Sequence, residues 1–179
     1  MKEDIREVLI NEEQLKNKVM KLGKQISKDY EGESLTVICI LKGAVMFMTE
    51  LIKNIEIPIE IDFMDVSSYG NQTTSSGVVK IIKDLDSSIE GKNILIVEDI
   101  IDSGLTLNYL MKILKSRSPK SVEICSLLDK PEGRNVDMEV KYVGFIVPDA
   151  FLVGYGLDFA EKYRNLPYIG ILKEEIYLS

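Results

Sequence analysis

The chain has 179 residues, of which 45% are hydrophobic and 28% are charged, and its formal net charge is −7. This length and composition predict a single globular domain over residues 1–179, and the acidic balance argues against a basic stripe that binds nucleic acid. Histidine is absent, which excludes Ser-His-Asp and Cys-His catalysis and histidine-ligated metal sites. Any proton transfer must therefore use carboxylates, lysine, tyrosine or cysteine.

The apolar runs of the sequence are short. The run "VICIL" at 37–41 falls far below the roughly 18 residues that a membrane span needs, and acidic residues interrupt the N-terminus where a secretory signal would have its apolar region. We therefore expect a cytoplasmic protein with no membrane partner. The two cysteines, Cys39 and Cys125, lie in apolar strand-like runs and are expected to be buried, reduced thiols.

Secondary structure is predicted from the N-terminus onward. Apolar residues at helical spacing predict an amphipathic helix over 12–29. A run rich in β-branched residues predicts a buried strand at 35–41, and a helix is predicted at 44–55. Alternating apolar and acidic residues predict a strand with one polar face at 57–69.

A segment of eight small or polar residues, with glycine at both ends, follows at 70–77. Such a composition is typical of a mobile loop that closes over a site. It is equally typical of a solvated connection between the strands of a hairpin. The composition alone does not separate these two interpretations.

Strands and helices alternate through the rest of the chain. This alternation predicts an α/β fold in which helices flank a central parallel sheet. The N-terminal helix and the C-terminal strands are expected to form a small cap, or hood, beside a core of about residues 30–150. The predicted elements are strands at 78–85, 94–98, 122–129 and 140–147, a helix at 104–117, and C-terminal strands at 151–158 and 168–172.

The segment "ILIVEDIIDSGLTL" at 94–107 places three carboxylates at the end of a predicted buried strand. Because burying an unpaired carboxylate is costly, we expect this segment to open to solvent. Open parallel sheets bind ligands at the carboxyl ends of their strands. The turn at 102–106 would present backbone N–H groups and two hydroxyls at a helix N-terminus, an arrangement that suits a phosphate.

A plain helix cap is the alternative interpretation of Asp102 and Ser103. Capping accounts for one acidic or hydroxyl residue, but it does not account for Glu98 and Asp99 before them. Paired carboxylates accept hydrogen bonds from vicinal hydroxyls, so the segment predicts a pocket for a sugar phosphate. No Walker A motif occurs, and "GYGLDF" at 154–159 lacks the third glycine of a dinucleotide fingerprint.

The stretch "VEDIIDSGLT" at 97–106 resembles the phosphoribosyl pyrophosphate (PRPP) motif of type I phosphoribosyltransferases. Further segments, in matching order, resemble the 6-oxopurine branch of that family, the hypoxanthine–guanine phosphoribosyltransferases, over nearly the whole chain. The resemblance implies the type I phosphoribosyltransferase fold, with a central parallel sheet and a small hood subdomain. These segments are "LKG" at 41–43, "SSYG" at 67–70, "DK" at 129–130 and "PDAFLVGYGLDFAEKYRNL" at 148–166.

The resemblance implies a role for each residue of the sugar and purine sites. Glu98 and Asp99 would hold the ribose hydroxyls. Asp102 would act as a general base beside purine N7, in addition to its part in binding the 5′-phosphate. Lys130 would donate to purine O6, which selects 6-oxopurines over adenine. Phe151 would stack on the base, although a core aromatic is its alternative interpretation. The 5′-phosphate would be bound by Asp102, Ser103, Gly104, Leu105 and Thr106.

Pyrophosphate would be bound, by the same resemblance, at two separate places in the chain. One is Leu41, Lys42 and Gly43, where the Leu41–Lys42 peptide is often cis in the family. The other is Arg164, which would clamp the pyrophosphate. Taken alone, Lys42 would be interpreted as a solvated lysine at a helix start.

The remaining implied contacts complete the purine site and the metal site. The backbone carbonyls of Leu152 and Asp158 would meet the amino group of guanine. Ser68 and Tyr69 would lie on a mobile loop at 66–77 and close over the reacting centre. Ala150 stands where relatives frequently carry lysine, so the affinity for the base is expected to differ. The implied cofactor is Mg²⁺, with the ligands Glu98, Asp99 and Asp158.

The implied reaction is purine salvage, in which PRPP and hypoxanthine or guanine give a nucleoside 5′-monophosphate and pyrophosphate. The alternatives are a PRPP-sensing regulator that binds nucleic acid and another transferase of this fold, such as a xanthine–guanine phosphoribosyltransferase. The charge of −7 counts against the regulator, whereas Asp102 and Lys130 favour catalysis. The segments "LLDKPEGR" at 127–134 and "PDAFLVGYGLD" at 148–158 favour purines over pyrimidines. The implied partners are small-molecule substrates and further copies of the chain in a homodimer or homotetramer.

Overall fold

The computed structural model describes residues 1–68 and 79–178. Within these ranges the chain forms two sheets with helices packed against them. In chain order the elements are β1 (Ile5–Ile10), α1 (Glu12–Asp29), β2 (Leu35–Leu41), α2 (Val45–Ile52), β3 (Ile59–Ser68), β4 (Val79–Lys83), β5 (Asn93–Ile101), α3 (Leu105–Ser116), β6 (Ser121–Asp129), β7 (Tyr142–Ile146), β8 (Leu152–Val153), β9 (Ile169–Leu172) and α4 (Glu174–Tyr177).

The main sheet has six strands in the order β4-β3-β2-β5-β6-β7. All neighbouring strands are parallel except β3 and β4, which are antiparallel. Residues of β2 contribute alternately to two hydrophobic clusters, Val37 and Cys39 to one and Ile38 and Ile40 to the other. A strand that is buried on both faces accounts for the continuous apolar run in its sequence. The predicted α/β fold with a central parallel sheet is therefore confirmed.

Helices cover both faces of the main sheet. The helices α1 and α2 pack against one another on one side, and α1 also contacts β7. On the other side, Leu107, Leu110 and Leu114 of α3 join the cluster that contains Ile38 and Ile40. None of the helices in the described part of the chain has both the length and the apolarity that crossing a membrane requires.

The smaller sheet has three antiparallel strands in the order β1-β9-β8. It combines the N-terminal and C-terminal parts of the chain, and Tyr163 adds a link by donating from its hydroxyl to Asp4 Oδ2 (2.9 Å). The sequence did not predict β1, because its pattern is interrupted by charge and its partner β9 lies at the far end of the chain. The helix α1, which was expected in the hood, packs against α2 and contacts β7, and its apolar residues share one hydrophobic cluster with Ile169 and Ile171 of the smaller sheet.

Several predicted boundaries shift in the structure. The strand predicted at 94–98 extends to Ile101, so Asp99 as well as Glu98 belongs to the strand itself. The strand predicted at 151–158 is reduced to β8, because the glycines at 154 and 156 have φ of +99° and +105°, which breaks a strand. Both cysteines are buried and free, as predicted. Tyr69 and the loop predicted at 70–77 lie outside the described residues.

Candidate functional site

The candidate site lies where β2 and β5 separate. The chain continues from β2 to β3 on one side and from β5 to β6 on the other, so this is the topological switch point of the sheet, where open α/β sheets bind ligands. Pairing between β2 and β5 ends at Cys39 and Val97, whereas β5 continues to Ile101. The last four residues of β5 therefore border a gap rather than β2.

Gly43 packs directly against Asp99 in this gap. A Cβ atom at position 43 would overlap the carboxylate of Asp99, so only glycine leaves room for it. Asp99 Oδ1 accepts a hydrogen bond from the backbone N–H of Ile100 (2.7 Å). The peptide bond between Leu41 and Lys42 is cis, in line with the expectation from the resemblance.

Glu98 and Asp99 are two half-buried carboxylates in adjacent positions. Burial raises the pKa of Glu98 well above its ordinary value, and the charge of Asp99 adds to this effect. Burial also raises the pKa of Asp99, to about 6, while the Ile100 N–H and the charge of Arg164 oppose that change. Negative charge is thus only partly compensated at this end of β5, which favours a cation or a hydroxyl donor as the ligand.

The turn after β5 leads into the N-terminus of α3. Gly104 occupies the N-cap position with φ of +75° and provides no side-chain cap, and Ser103 Oγ is 3.4 Å from the Leu105 N–H. Neither Asp102 nor Ser103 is therefore the N-cap residue, although Ser103 Oγ accepts a long hydrogen bond from the first N–H of α3. The N-cap position itself contributes no side chain to the N-terminus of the helix, an arrangement that suits an anion.

Two cavities adjoin at the switch point, with volumes of about 270 Å³ and about 620 Å³. Their walls share Asp99, Ile100 and Asp102. The structure thus brings the predicted sugar-phosphate residues other than Leu105, and the predicted purine residues, to two adjoining cavities. The smaller cavity is lined by Leu41, Gly43, Glu98, Ser103, Gly104 and Thr106, and the larger one by Lys130, Phe151, Leu152 and Asp158, in addition to the shared residues.

Lys130 is buried and lies between two carboxylates at the larger cavity. Its Nζ atom is 3.8 Å from Asp102 Oδ2 and 3.5 Å from Asp149 Oδ1. The Asp102 side chain is 58% exposed and therefore accessible to a ligand. A Cβ atom at Gly133 would overlap the Asp102 carboxylate, so the turn after Lys130 fits closely over it. The sequence did not single out Asp149, although it lies within the motif at 148–166.

Phe151 lies on the wall of the larger cavity together with Tyr177 of α4. The two rings stack with centroids 4.8 Å apart and an interplanar angle of 23°, and Phe159 meets Phe151 edge to face at 5.4 Å. Phe151 is therefore part of an aromatic cluster, as expected of a core aromatic, and it also borders the cavity in which it would stack on a base. Tyr177 was missed because it follows the last predicted strand in a segment without a motif.

The two predicted pyrophosphate-binding cations meet at one carboxylate. Lys42 Nζ is 3.2 Å and Arg164 Nη2 is 3.4 Å from Glu161 Oε2. Arg164 also contacts Asp158 Oδ1 (2.9 Å) and donates to the carbonyl of Gly156 (2.8 Å). The structure thus brings Lys42 and Arg164 together, although they lie in distant parts of the sequence. Glu161 was not predicted as a site residue.

The predicted loop residues are only partly described. Ser68 is the last residue of β3, within the strand predicted at 57–69. Tyr69 lies outside the described residues. Leu152 pairs with Ile171 in the smaller sheet, and Ala150 borders the larger cavity.

The three predicted Mg²⁺ ligands do not form a preassembled cluster. Among residues 1–68 and 79–178, no group of three or more aspartate, glutamate, cysteine or histidine residues is arranged to hold a metal. Magnesium usually takes one or two protein carboxylates and completes its shell with substrate phosphates and water. Asp158 lies close enough for its charge to raise the pKa of Asp99. These carboxylates therefore fit a magnesium ion that binds together with a phosphorylated ligand.

Comparison with known proteins places the chain in a family. Residues 9–160 match the family described as the phosphoribosyl transferase domain. The chain belongs to the phosphoribosyltransferases. Within them, it is 59% identical to the hypoxanthine-guanine phosphoribosyltransferase of Bacillus subtilis, over 100% of this chain and 99% of that one.

A solved phosphoribosyltransferase structure has the same fold. The hypoxanthine phosphoribosyltransferase of Staphylococcus aureus superimposes with a TM-score of 0.96 and 55% identity, over 99% of this chain and 96% of that one. The type I phosphoribosyltransferase fold is therefore confirmed. The chain is also 59% identical to the bifunctional protein TilS/HprT of Listeria monocytogenes, of which it spans only 27% of the length.

Replacing Gly43 with alanine is expected to displace the Asp99 carboxylate. The added Cβ atom would occupy its position, so Gly43→Ala should weaken PRPP binding roughly tenfold or more, as measured by calorimetry with Mg²⁺. A double-mutant cycle provides the control: in an Asp99→Ala background, Gly43→Ala should weaken PRPP binding little further. Unchanged PRPP binding by Gly43→Ala would show that this contact does not shape the site.

Proposed function

We propose that the chain catalyses the Mg²⁺-dependent transfer of the 5-phosphoribosyl group from PRPP to N9 of hypoxanthine or guanine. The products are IMP or GMP and pyrophosphate. The pair of cavities that share Asp99, Ile100 and Asp102 carries this proposal. A sugar phosphate in the smaller cavity and a purine in the larger one would meet at the shared wall, where the new bond must form. The names of the B. subtilis and S. aureus relatives agree with this chemistry.

The smaller cavity suits the ribose 5-phosphate part of PRPP. The turn from Ser103 to Thr106 offers hydroxyls and backbone N–H groups at the start of α3, where an anion is stabilised. Glu98 and Asp99 would accept hydrogen bonds from the 2′- and 3′-hydroxyls. These bonds would stabilise the ionised form of two carboxylates whose pKa is raised by burial.

The larger cavity suits a 6-oxopurine. Lys130 would donate from its ammonium to O6, which adenine cannot match because its exocyclic amine does not accept that bond. Phe151 would stack on the base, and the carbonyls of Leu152 and Asp158 would meet the amino group of guanine. Asp102 would take the purine proton at N7, and its exposure at the shared wall leaves it accessible for this transfer.

Lys42 and Arg164, which meet at the same carboxylate oxygen of Glu161, would together bind the pyrophosphate leaving group, with the backbone of Leu41 and Gly43 beside it. Mg²⁺ held by Glu98, Asp99 and Asp158 would supply charge neutralisation on the pyrophosphate as the bond to C1′ breaks. Ser68 and Tyr69 would help to exclude water, which would otherwise hydrolyse PRPP. The homodimeric or homotetrameric state and the cytoplasmic location remain predictions.

A side-by-side assay of hypoxanthine, guanine, xanthine and adenine with PRPP and Mg²⁺ tests the proposal. We expect IMP and GMP to form and adenine to be a poor substrate. Lys130→Ala should raise the KM for hypoxanthine roughly tenfold or more and reduce the discrimination against adenine, because the donor to O6 is lost. Absence of product with both hypoxanthine and guanine would refute the proposed function, and unchanged hypoxanthine kinetics would refute the role of Lys130.

Replacing Asp102 with asparagine keeps the shape of the side chain but removes its ability to accept a proton. Turnover should fall by ~10²-fold or more, whereas PRPP binding measured by calorimetry should change little. Asp149→Asn is the matched control, since it removes the other carboxylate beside Lys130 and should cost far less turnover. Full turnover of the Asp102→Asn variant would contradict the general-base assignment.

A further inference from the structure

Glu161 lies between the two cations that the proposed function assigns to pyrophosphate. Its Oε2 atom is within 3.2 Å of Lys42 Nζ and 3.4 Å of Arg164 Nη2. A phosphate oxygen that bridges the same two side chains would compete for this position, because both ligands are anionic oxygens that accept from the same charged donors. Glu161 therefore places an anionic oxygen where the proposed substrate would place one.

The backbone holds Glu161 at this position in an unusual conformation. Phe159 and Lys162 exchange two backbone hydrogen bonds (3.2 and 3.0 Å), and the two residues between them, Ala160 and Glu161, have φ of +51° and +62°. A two-residue hairpin turn with both residues left-handed normally contains glycine or asparagine. Two non-glycine residues there are strained. Asp158 Oδ2 supports the turn by accepting from the Glu161 N–H (2.9 Å).

The contacts of Glu161 can be displaced by a stronger ligand. The side chains of Glu161 and Lys42 are 66% and 61% exposed, and exposed ion pairs contribute little to stability. A glutamate side chain is ordinarily ionised near neutral pH, so Glu161 meets the two cations as a carboxylate. Pyrophosphate carries more charge and more acceptor oxygens than one carboxylate, so it would compete effectively for both cations.

We propose that Glu161 is an internal counter-ion that holds Lys42 and Arg164 in the ligand-free site and is displaced by pyrophosphate. This inference rests on the proposed assignment of Lys42 and Arg164 to the pyrophosphate group. Competition from Glu161 lowers the affinity of the site for pyrophosphate, which as a reaction product must leave before the next cycle. Glu161 is thus a positioning residue that sets this affinity, and it takes no part in the bond changes.

Calorimetric titration of the full chain with pyrophosphate and Mg²⁺ tests the inference. Glu161→Gln retains the size of the side chain and removes its charge, so pyrophosphate should bind with a roughly threefold to tenfold lower Kd than to the wild type. In steady-state assays the KM for PRPP should fall in parallel, while the KM for hypoxanthine should not change. A merely structural role of the turn would not produce tighter binding.

Two further variants separate the local contact from net charge. Glu90→Gln changes the net charge by the same amount at an exposed position in the turn before β5, and its Kd for pyrophosphate should equal that of the wild type. Glu161→Asp keeps the charge on a shorter side chain and should bind pyrophosphate less tightly than Glu161→Gln. Tighter binding by Glu90→Gln to the same extent as by Glu161→Gln would overturn the inference.

The inference and the proposed function fail in different ways. If Glu161→Gln binds pyrophosphate as the wild type does, or more weakly, Glu161 is not a competing counter-ion. Lys42→Ala tests the pyrophosphate site itself and should raise the Kd. If Lys42→Ala leaves the Kd of the wild type unchanged, the assignment of Lys42 to pyrophosphate is wrong, whatever the behaviour of the Glu161 variants. Thermal unfolding of each variant verifies that it is folded.

Discussion

The contact between Gly43 and the Asp99 carboxylate is the constraint on which the rest of the site depends. It exists because β5 extends past the end of β2 at the switch point of the main sheet, and because position 43 has no side chain. The carboxylate pair of Glu98 and Asp99 is thereby kept half-buried at the edge of the core, on the wall of a cavity. A ligand that offers hydroxyls or a cation binds favourably there, because it compensates the desolvation cost of the two ionised carboxylates.

The other charged groups of the site are arranged around this pair. Lys130 is buried between Asp102 and Asp149 on one side, and Arg164 lies between Asp158 and Glu161 on the other. Each cation is thus held by carboxylates that a substrate could replace or supplement. An anionic substrate would then be recognised largely by replacing the carboxylates of the chain as partners of Lys130 and Arg164. An excess of positive charge around the site is not needed for such recognition. Such exchange favours modest affinity and ready release of products.

The sequence predicted the elements whose signal is local. The bounds of α1 and β2 match the prediction at both ends, because amphipathic periodicity and a run of β-branched residues are short-range patterns. The motif at 97–106 lies at the switch point of the sheet, and most of the residues that the resemblance named line the two cavities there. β1 could not be predicted, since its partner β9 lies at the opposite end of the chain. Glu161 and Tyr177 were missed because their roles depend on a strained turn and a terminal helix that no local pattern indicates.

The central claim is that ligand binding relieves the cost of the buried carboxylates, and thermal unfolding of Glu98→Gln at about pH 8 tests it most directly. The pKa of Glu98 is raised in the folded protein, so its ionised form destabilises the fold at a pH above its ordinary pKa, and this cost disappears in acid where it is protonated in both states. Without ligand, Glu98→Gln should therefore unfold at a higher temperature than the wild type, by roughly 2–4 °C per kcal/mol of cost removed. With PRPP and Mg²⁺ present, the order should reverse, because the wild type alone retains the carboxylate that the ligand uses. A wild type that is more stable than Glu98→Gln in both conditions, or an equal gain in stability from PRPP in the two proteins, would contradict the claim.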